Sequence, residues 1–216
     1  MRFLLIKALI IASLSSCTLS TTKHLTAITP DVINYHNGYF SDLDKDYIYK
    51  ANIEVYGHHF GGLMIIKKIK NKHHRVVFTT EFGSKMLDIE LIDHNFKTNF
   101  IVDELNKKMV LNTLKKDFKL ILQEVHKVEK MYKKKNFIVY QSKTDKRYNF
   151  FFVNDYNQQL DSIVNTSKTK EKVMVSFKNV EGLLAKELSI VHKNIKLTID
   201  LKYVGKTDNT ESPNPK

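Results

Sequence analysis

The chain has 216 residues, 42% of them apolar, with 35 basic against 23 acidic side chains and a formal net charge of +12. That length suits one domain with a substantial core, or at most two small ones, and the single cysteine, Cys17, excludes an internal disulfide framework. The positive charge admits nucleic acid, anionic lipid headgroups, an acidic partner surface or simply a solvated lysine-rich exterior.

Met1–Lys7 (MRFLLIK) carries two positive charges, Ala8–Leu14 (ALIIASL) is apolar, and small Ser15 and Ser16 precede Cys17. This is the pattern of an export signal, and its apolar run is far shorter than the ~20 residues a membrane span requires. Leu14-Ser15-Ser16-Cys17 resembles the lipobox of bacterial lipoproteins. The resemblance implies removal of residues 1–16 and lipidation of Cys17, leaving a protein held to its membrane by acyl chains; an ordinary secretory signal with a chance cysteine is the alternative. Two acyl chains suffice for stable anchoring, each buried CH₂ contributing ~0.8 kcal/mol. Export removes nucleic acid from the expected partners. Acidic residues just after a lipidated cysteine resemble sorting signals for inner-membrane retention or surface display, and none lies between Cys17 and Lys23. The resemblance to lipoproteins without such a signal implies the periplasmic face of the outer membrane as the expected location.

Residues 17–28 read as the lipidated N-terminus and a polar tether, residues 29–204 as one folded domain, and residues 205–216 (GKTDNTESPNPK) as a disordered tail. Within the domain the dominant period is two. In Tyr49–Val55 the odd positions are apolar and the even ones polar, as in a strand with one wet face. Further strands are predicted at Leu63–Ile69, Arg75–Phe82, Lys85–Ile92, Phe96–Val102, Asn136–Tyr140, Tyr148–Val153, Leu160–Val164, Lys172–Lys178, Glu187–His192 and Ile195–Tyr203. One segment, Asn106–Leu122, instead has Leu111, Leu114, Phe118 and Ile121 at helical spacing. About eleven antiparallel strands and one amphipathic helix predict a mainly β, open and unclosed barrel with the helix across its mouth. Periodicity alone leaves open whether such an interior is a cavity or a packed core.

Chemistry is sparse. His58-His59 and His73-His74 are the only histidine pairs, and without a cysteine pair, a HExxH motif or clustered carboxylates they read as surface residues rather than zinc ligands. YGHHFGG (Tyr56–Gly62) lacks the ending of a phosphate-binding loop and reads as a hairpin turn. No nucleophile motif of the GxSxG kind occurs, so no enzymatic activity, metal or cofactor is expected. Lys107–Lys135 holds ten lysines against Asp117, Glu124 and Glu129; this basic face either rests on anionic headgroups or is merely solvated.

The stretch Val76–Leu91 (VVFTTEFGSKMLDIEL) resembles the outer-membrane lipoprotein receptor LolB, in which a strand ends in an apolar residue followed by Gly and Ser and an alternating strand follows. The order of elements is similar too, over most of the chain. The departures are the absence of tryptophan, Glu81 where the family often has proline, and the basic charge, so the resemblance is to a divergent branch of the LolA/LolB-like fold. It implies a monomeric receptor that accepts lipoprotein acyl chains from a soluble LolA-like carrier and inserts them in the outer membrane. The family's protruding apolar residue falls on Phe82, which either inserts in the membrane or points into the core at the end of its strand. The lipid cavity is expected to be lined by Tyr49, Ala51, Ile53, Val55, Val76, Phe78, Leu87, Ile89 and Leu91, with Leu114 and Phe118 from the helix. The competing expectation is an envelope lipoprotein of the same fold with a packed interior and a structural or interaction role.

Overall fold

The computed structural model describes residues 19–93 and 95–205; the leader, Cys17 and the tail beyond Gly205 lie outside the described residues. Fifteen strands occur among them: β1 (Thr26–Ile28), β2 (Asn34–His36), β3 (Asp46–Val55), β4 (His58–Lys70), β5 (His73–Thr79), β6 (Lys85–Ile92), β7 (Asn95–Ile101), β8 (Val125–Lys127), β9 (Lys130–Lys134), β10 (Phe137–Thr144), β11 (Arg147–Asn154), β12 (Leu160–Thr166), β13 (Glu171–Glu181), β14 (Leu184–His192) and β15 (Leu197–Tyr203). The single α-helix, α1, spans Lys108–Leu122. Thirteen strands form one antiparallel sheet in the order β1-β9-β10-β11-β12-β13-β14-β15-β3-β4-β5-β6-β7, and β2 pairs with β8 separately. The large sheet does not close on itself, since β1 and β7 are its two edges.

The eleven expected strands correspond to β3–β7 and β10–β15. The four that exceed that count, β1, β2, β8 and β9, are three to five residues long. A three-residue strand is too short to display a period of two, and three of the five residues of β9 (KMYKK) are lysine.

Alternation decides what the sheet buries. Tyr47, Tyr49, Ala51, Ile53 and Val55 of β3 face a core shared with Val76, Phe78, Leu87, Ile89, Val175, Ile190 and Ile199. Helix α1 closes that core with Val110, Leu114, Phe118 and Ile121; three of these belong to the predicted stripe, but Val110 is buried where Leu111 is expected and Leu111 is only half-buried. The β3–β4 hairpin turns at Tyr56-Gly57, both with positive φ (49° and 84°), the turn whose twist suits a two-residue hairpin. At Gly62 an added Cβ would lie 1.8 Å from the Thr79 carbonyl oxygen, so only glycine lets the end of β5 cross this strand.

A second, smaller core lies on the other face of β10–β12. There Val139, Phe150, Phe152 and Val164 are covered by Leu19, with Leu25 packed against them. This explains the uninterrupted Phe150-Phe151-Phe152-Val153 run, which is buried on both faces. It also corrects the expected tether: from Leu19 onward residues 17–28 belong to the fold. Thr21 Oγ1 and Ser20 Oγ donate to Glu171 (2.7 and 3.0 Å), and β1 pairs with β9. Two leucines that gain burial on an apolar sheet face outweigh the freedom of a short polar linker.

The histidine pairs are split by the same geometry. His58 and His59 are exposed at the start of β4, but His73 meets Glu90 at 2.7 Å, and His74 is buried with its Nε2 3.0 Å from the Phe40 carbonyl. The surface expectation for His73-His74 is therefore wrong, because alternation turns His74 into the core side of β5. His126 is buried as well, its ring centroid 4.3 Å from that of Phe151, with Nε2 2.9 Å from the Gln123 carbonyl. Burial pushes the His126 pKa down to about 4 and lowers that of His74. Burial favours the neutral form of both, so the stability they contribute is present above the ordinary value of 6.5 and is lost as pH falls below it, for His126 over the window down to about 4. For His126 alone the full loss is about 3 kcal/mol. The urea midpoint should fall between pH 6.5 and 4.5, and His126→Phe should flatten most of that slope; an unchanged slope in the variant would reject His126 as its source.

Candidate functional site

Strand β5 ends at Thr79, three residues before the expected Phe82, at a register shift between Phe78 and Thr79. The chain then makes a closed turn: the Thr80 amide donates to the Ser84 carbonyl (2.8 Å), the Gly83 amide to the Thr80 carbonyl (3.0 Å) and the Ser84 amide to Thr80 Oγ1 (3.1 Å). Gly83 has φ +86°, open to glycine without strain. Phe82 sits in this turn and is 98% exposed. Of the two alternatives for Phe82, the side chain pointing into the core does not occur. A phenyl ring held wholly in water by an ordered turn is costly unless it inserts somewhere.

The turn has firm foundations. Glu81 pairs with Lys50 at 3.1 Å, and Asp88 of β6, 1% exposed, accepts two hydrogen bonds from Arg75 (2.9 and 2.7 Å) and one each from Lys85 (3.1 Å) and Asn99 (3.2 Å). The Arg75 guanidinium, with Asn99 and Lys85, holds the Asp88 carboxyl well below the usual carboxylate range. A satisfied buried carboxylate of this kind fixes the register of β5, β6 and β7, and so aims the turn between them.

All eleven residues expected to line a cavity fall in the main core, none more than 3% exposed. The interior is filled around them by Phe40, Met64, Ile66 and Ile121, so the inward face is packed in this conformation and a long apolar ligand could enter only if α1 moved. Several polar attachments hold α1, and Asn37 Nδ2 donates to the Ile121 carbonyl at 2.9 Å. Asp117 meets His192 Nε2 at 2.8 Å, and beyond the helix end Glu124 pairs with Lys68 at 2.9 Å. Burial pushes the Asp117 carboxyl up, opposed by its bond to His192. Neither residue of the Asp117–His192 pair was expected to matter. The available signal was an acid on the apolar stripe of α1, between Leu114 and Ile121.

A groove of about 760 Å³ lies on the opposite, polar face, lined by Ser176, Ser189, Asp200, Asn52 and Gly61 with lysines 50, 178 and 202 beside them. Among the described residues no helix is long and apolar enough to cross a membrane, and no group of three or more His, Cys, Asp or Glu is placed to hold a metal ion.

No protein-family model and no curated protein matches the sequence. Solved structures do. A LolA superfamily protein of Nitrosomonas europaea overlays with a TM-score of 0.52 at 9% identity, covering 78% of this chain and 88% of that one. A DUF1329 family protein of Desulfovibrio piger (TM-score 0.39, 9% identity, 78% and 88% covered) and a domain from Vibrio parahaemolyticus described as outer-membrane lipoprotein-sorting (0.41, 8%, 74% and 83%) are more distant and carry no argument. The chain thus has a LolA-like fold, an open antiparallel sheet around a helix-covered apolar interior.

Proposed function

We propose that the protein is an outer-membrane lipoprotein, anchored through Cys17 on the periplasmic face, that receives lipoprotein acyl chains from a LolA-like carrier and passes them to the bilayer. The observation that carries this reading is Phe82, raised into solvent by an ordered turn at the place where the LolB-like pattern has its protruding residue. The LolA-like fold supports it by supplying an apolar interior covered by a helix. Each acyl CH₂ kept from water is worth ~0.8 kcal/mol, so cargo moves only between apolar surroundings, and rising affinity from carrier to receptor to bilayer is the whole driving force. No catalytic step is part of the proposal.

The packed interior favours a second reading, in which the same fold serves as a structural or interaction subunit of the envelope. The test uses the chain from Thr18 to Lys216, which contains both apolar cores, mixed with a carrier loaded with lipoprotein from the same bacterium. Cargo should change hands and elute with this protein. A folded chain that takes none leaves the second reading standing.

A further inference from the structure

In an antiparallel sheet joined by hairpins, alternate connections lie at the same rim. The turns after β3, β5, β10, β12 and β14 share one rim here, together with the start of α1, whose Met109 sulfur lies 3.5 Å from the Tyr56 hydroxyl. Phe82, Tyr56 and Met109 are all exposed at this rim. The turns there hold exposed Lys146, Lys168, Lys170, Lys193 and Lys196, and Lys107 and Lys108 start the helix. Of the acids at this rim, Glu81 is paired with Lys50 and Glu171 with Lys193, which leaves Glu54, Asp103, Glu104 and Asp145. At the opposite rim the charges are mixed: Asp93 is paired with Lys72 and Asp155 with Lys133, and Asp42 and Asp44 stand against Lys45, Lys70 and Lys135.

The N-terminal segment ends at the basic rim. Ser20 and Thr21 are bound to Glu171 at the β12–β13 end, and Glu171 is also bridged by Lys193 at 2.7 Å. Leu19 is already buried, so Cys17 has two residues of chain, about 7 Å, in which to reach a bilayer. A lipid on so short a lead brings the rim from which it leaves against the membrane.

We infer that the rim bearing Phe82, Met109 and the Lys168–Lys170 and Lys193–Lys196 turns is a docking face for an anionic phospholipid bilayer, holding the protein in one orientation with the opposite rim away. Of the proposed function the inference borrows only the lipid on Cys17. Each lysine near an anionic surface strengthens binding roughly fivefold, and salt screens the effect.

The chain from Thr18 is mixed with phosphatidylethanolamine vesicles with and without phosphatidylglycerol. Binding should require phosphatidylglycerol and fade with salt. Lys168→Ala/Lys170→Ala/Lys196→Ala should weaken it on the order of a hundredfold, while Lys45→Ala/Lys72→Ala/Lys135→Ala should leave it unchanged. Orientation is read separately, because the chain has no tryptophan. In Met109→Trp, brominated acyl chains should quench the new indole; in Tyr156→Trp, at the opposite rim and 98% exposed, they should not. Equal losses from the two triple variants, or equal quenching of the two tryptophans, would overturn the inference. Cargo transfer is scored in a different assay. A chain that accepts acyl cargo but shows no rim preference loses this inference alone, and one that docks by the rim but accepts nothing loses only the proposed function.

Discussion

Phe82→Glu should leave the thermal midpoint and the circular dichroism unchanged and reduce delivery of cargo to vesicles on the order of a hundredfold. The stability side follows from exposure: a side chain that is 98% in water loses no packing when replaced. The delivery side follows from insertion. Burying a phenyl ring in hydrocarbon is worth about 1.5–3 kcal/mol, and a carboxylate in its place adds a desolvation cost and repulsion from anionic headgroups. Uptake from the carrier should be untouched, because Phe82 is separated from the interior by the turn that carries it. Phe82→Leu should deliver at nearly the parental rate, since the requirement is an apolar side chain. Parental delivery by Phe82→Glu would remove Phe82 from the mechanism.

Much of this fold is legible in the sequence because one face of nearly every long strand is wet. The alternation in β3 and β15 gives their inward residues and their last residues, while β3 begins three residues earlier and β15 two residues later than predicted, and the spacing of Leu111, Leu114, Phe118 and Ile121 gives the helix to within two residues of its start. The same rule misleads at Phe82. Val76, Phe78, Thr80 and Phe82 continue a single alternation, which extends the strand and turns Phe82 inward. A register shift after Phe78 and a glycine with positive φ end the strand early, and neither leaves a mark on the hydrophobic pattern. The N-terminal strap was missed for a different reason. Two leucines in a Thr-rich stretch look like a linker until the outer face of β11, with its extra phenylalanines, is seen to need a cover. The Asp117–His192 pair joins residues 75 positions apart, a distance over which no local pattern speaks.

That pair supplies the largest expected effect on stability. Asp117 and His192 are 2% and 4% exposed, and they tie the covering helix to β14 across an otherwise apolar interior. Removing one partner strands a buried polar group, so His192→Leu should cost about 3–5 kcal/mol in urea unfolding. Asp117→Leu should also destabilise, because it leaves the His192 imidazole without its partner. The double variant Asp117→Leu/His192→Leu should recover most of the loss, since apolar groups of similar volume replace a pair whose attraction is offset by its desolvation. Additive losses in the cycle would mean that the two side chains act independently. The cycle also bears on transfer. Any acyl chain that enters beneath α1 must part Asp117 from His192 first, exposing both to water as it does so. A helix held by leucines instead resists opening through apolar burial alone, with no partners to rehydrate. If the interior receives lipid, the double variant should therefore take up cargo at a changed rate while folding as stably as the parent. If the interior is a packed scaffold, the same substitutions should alter stability and nothing else.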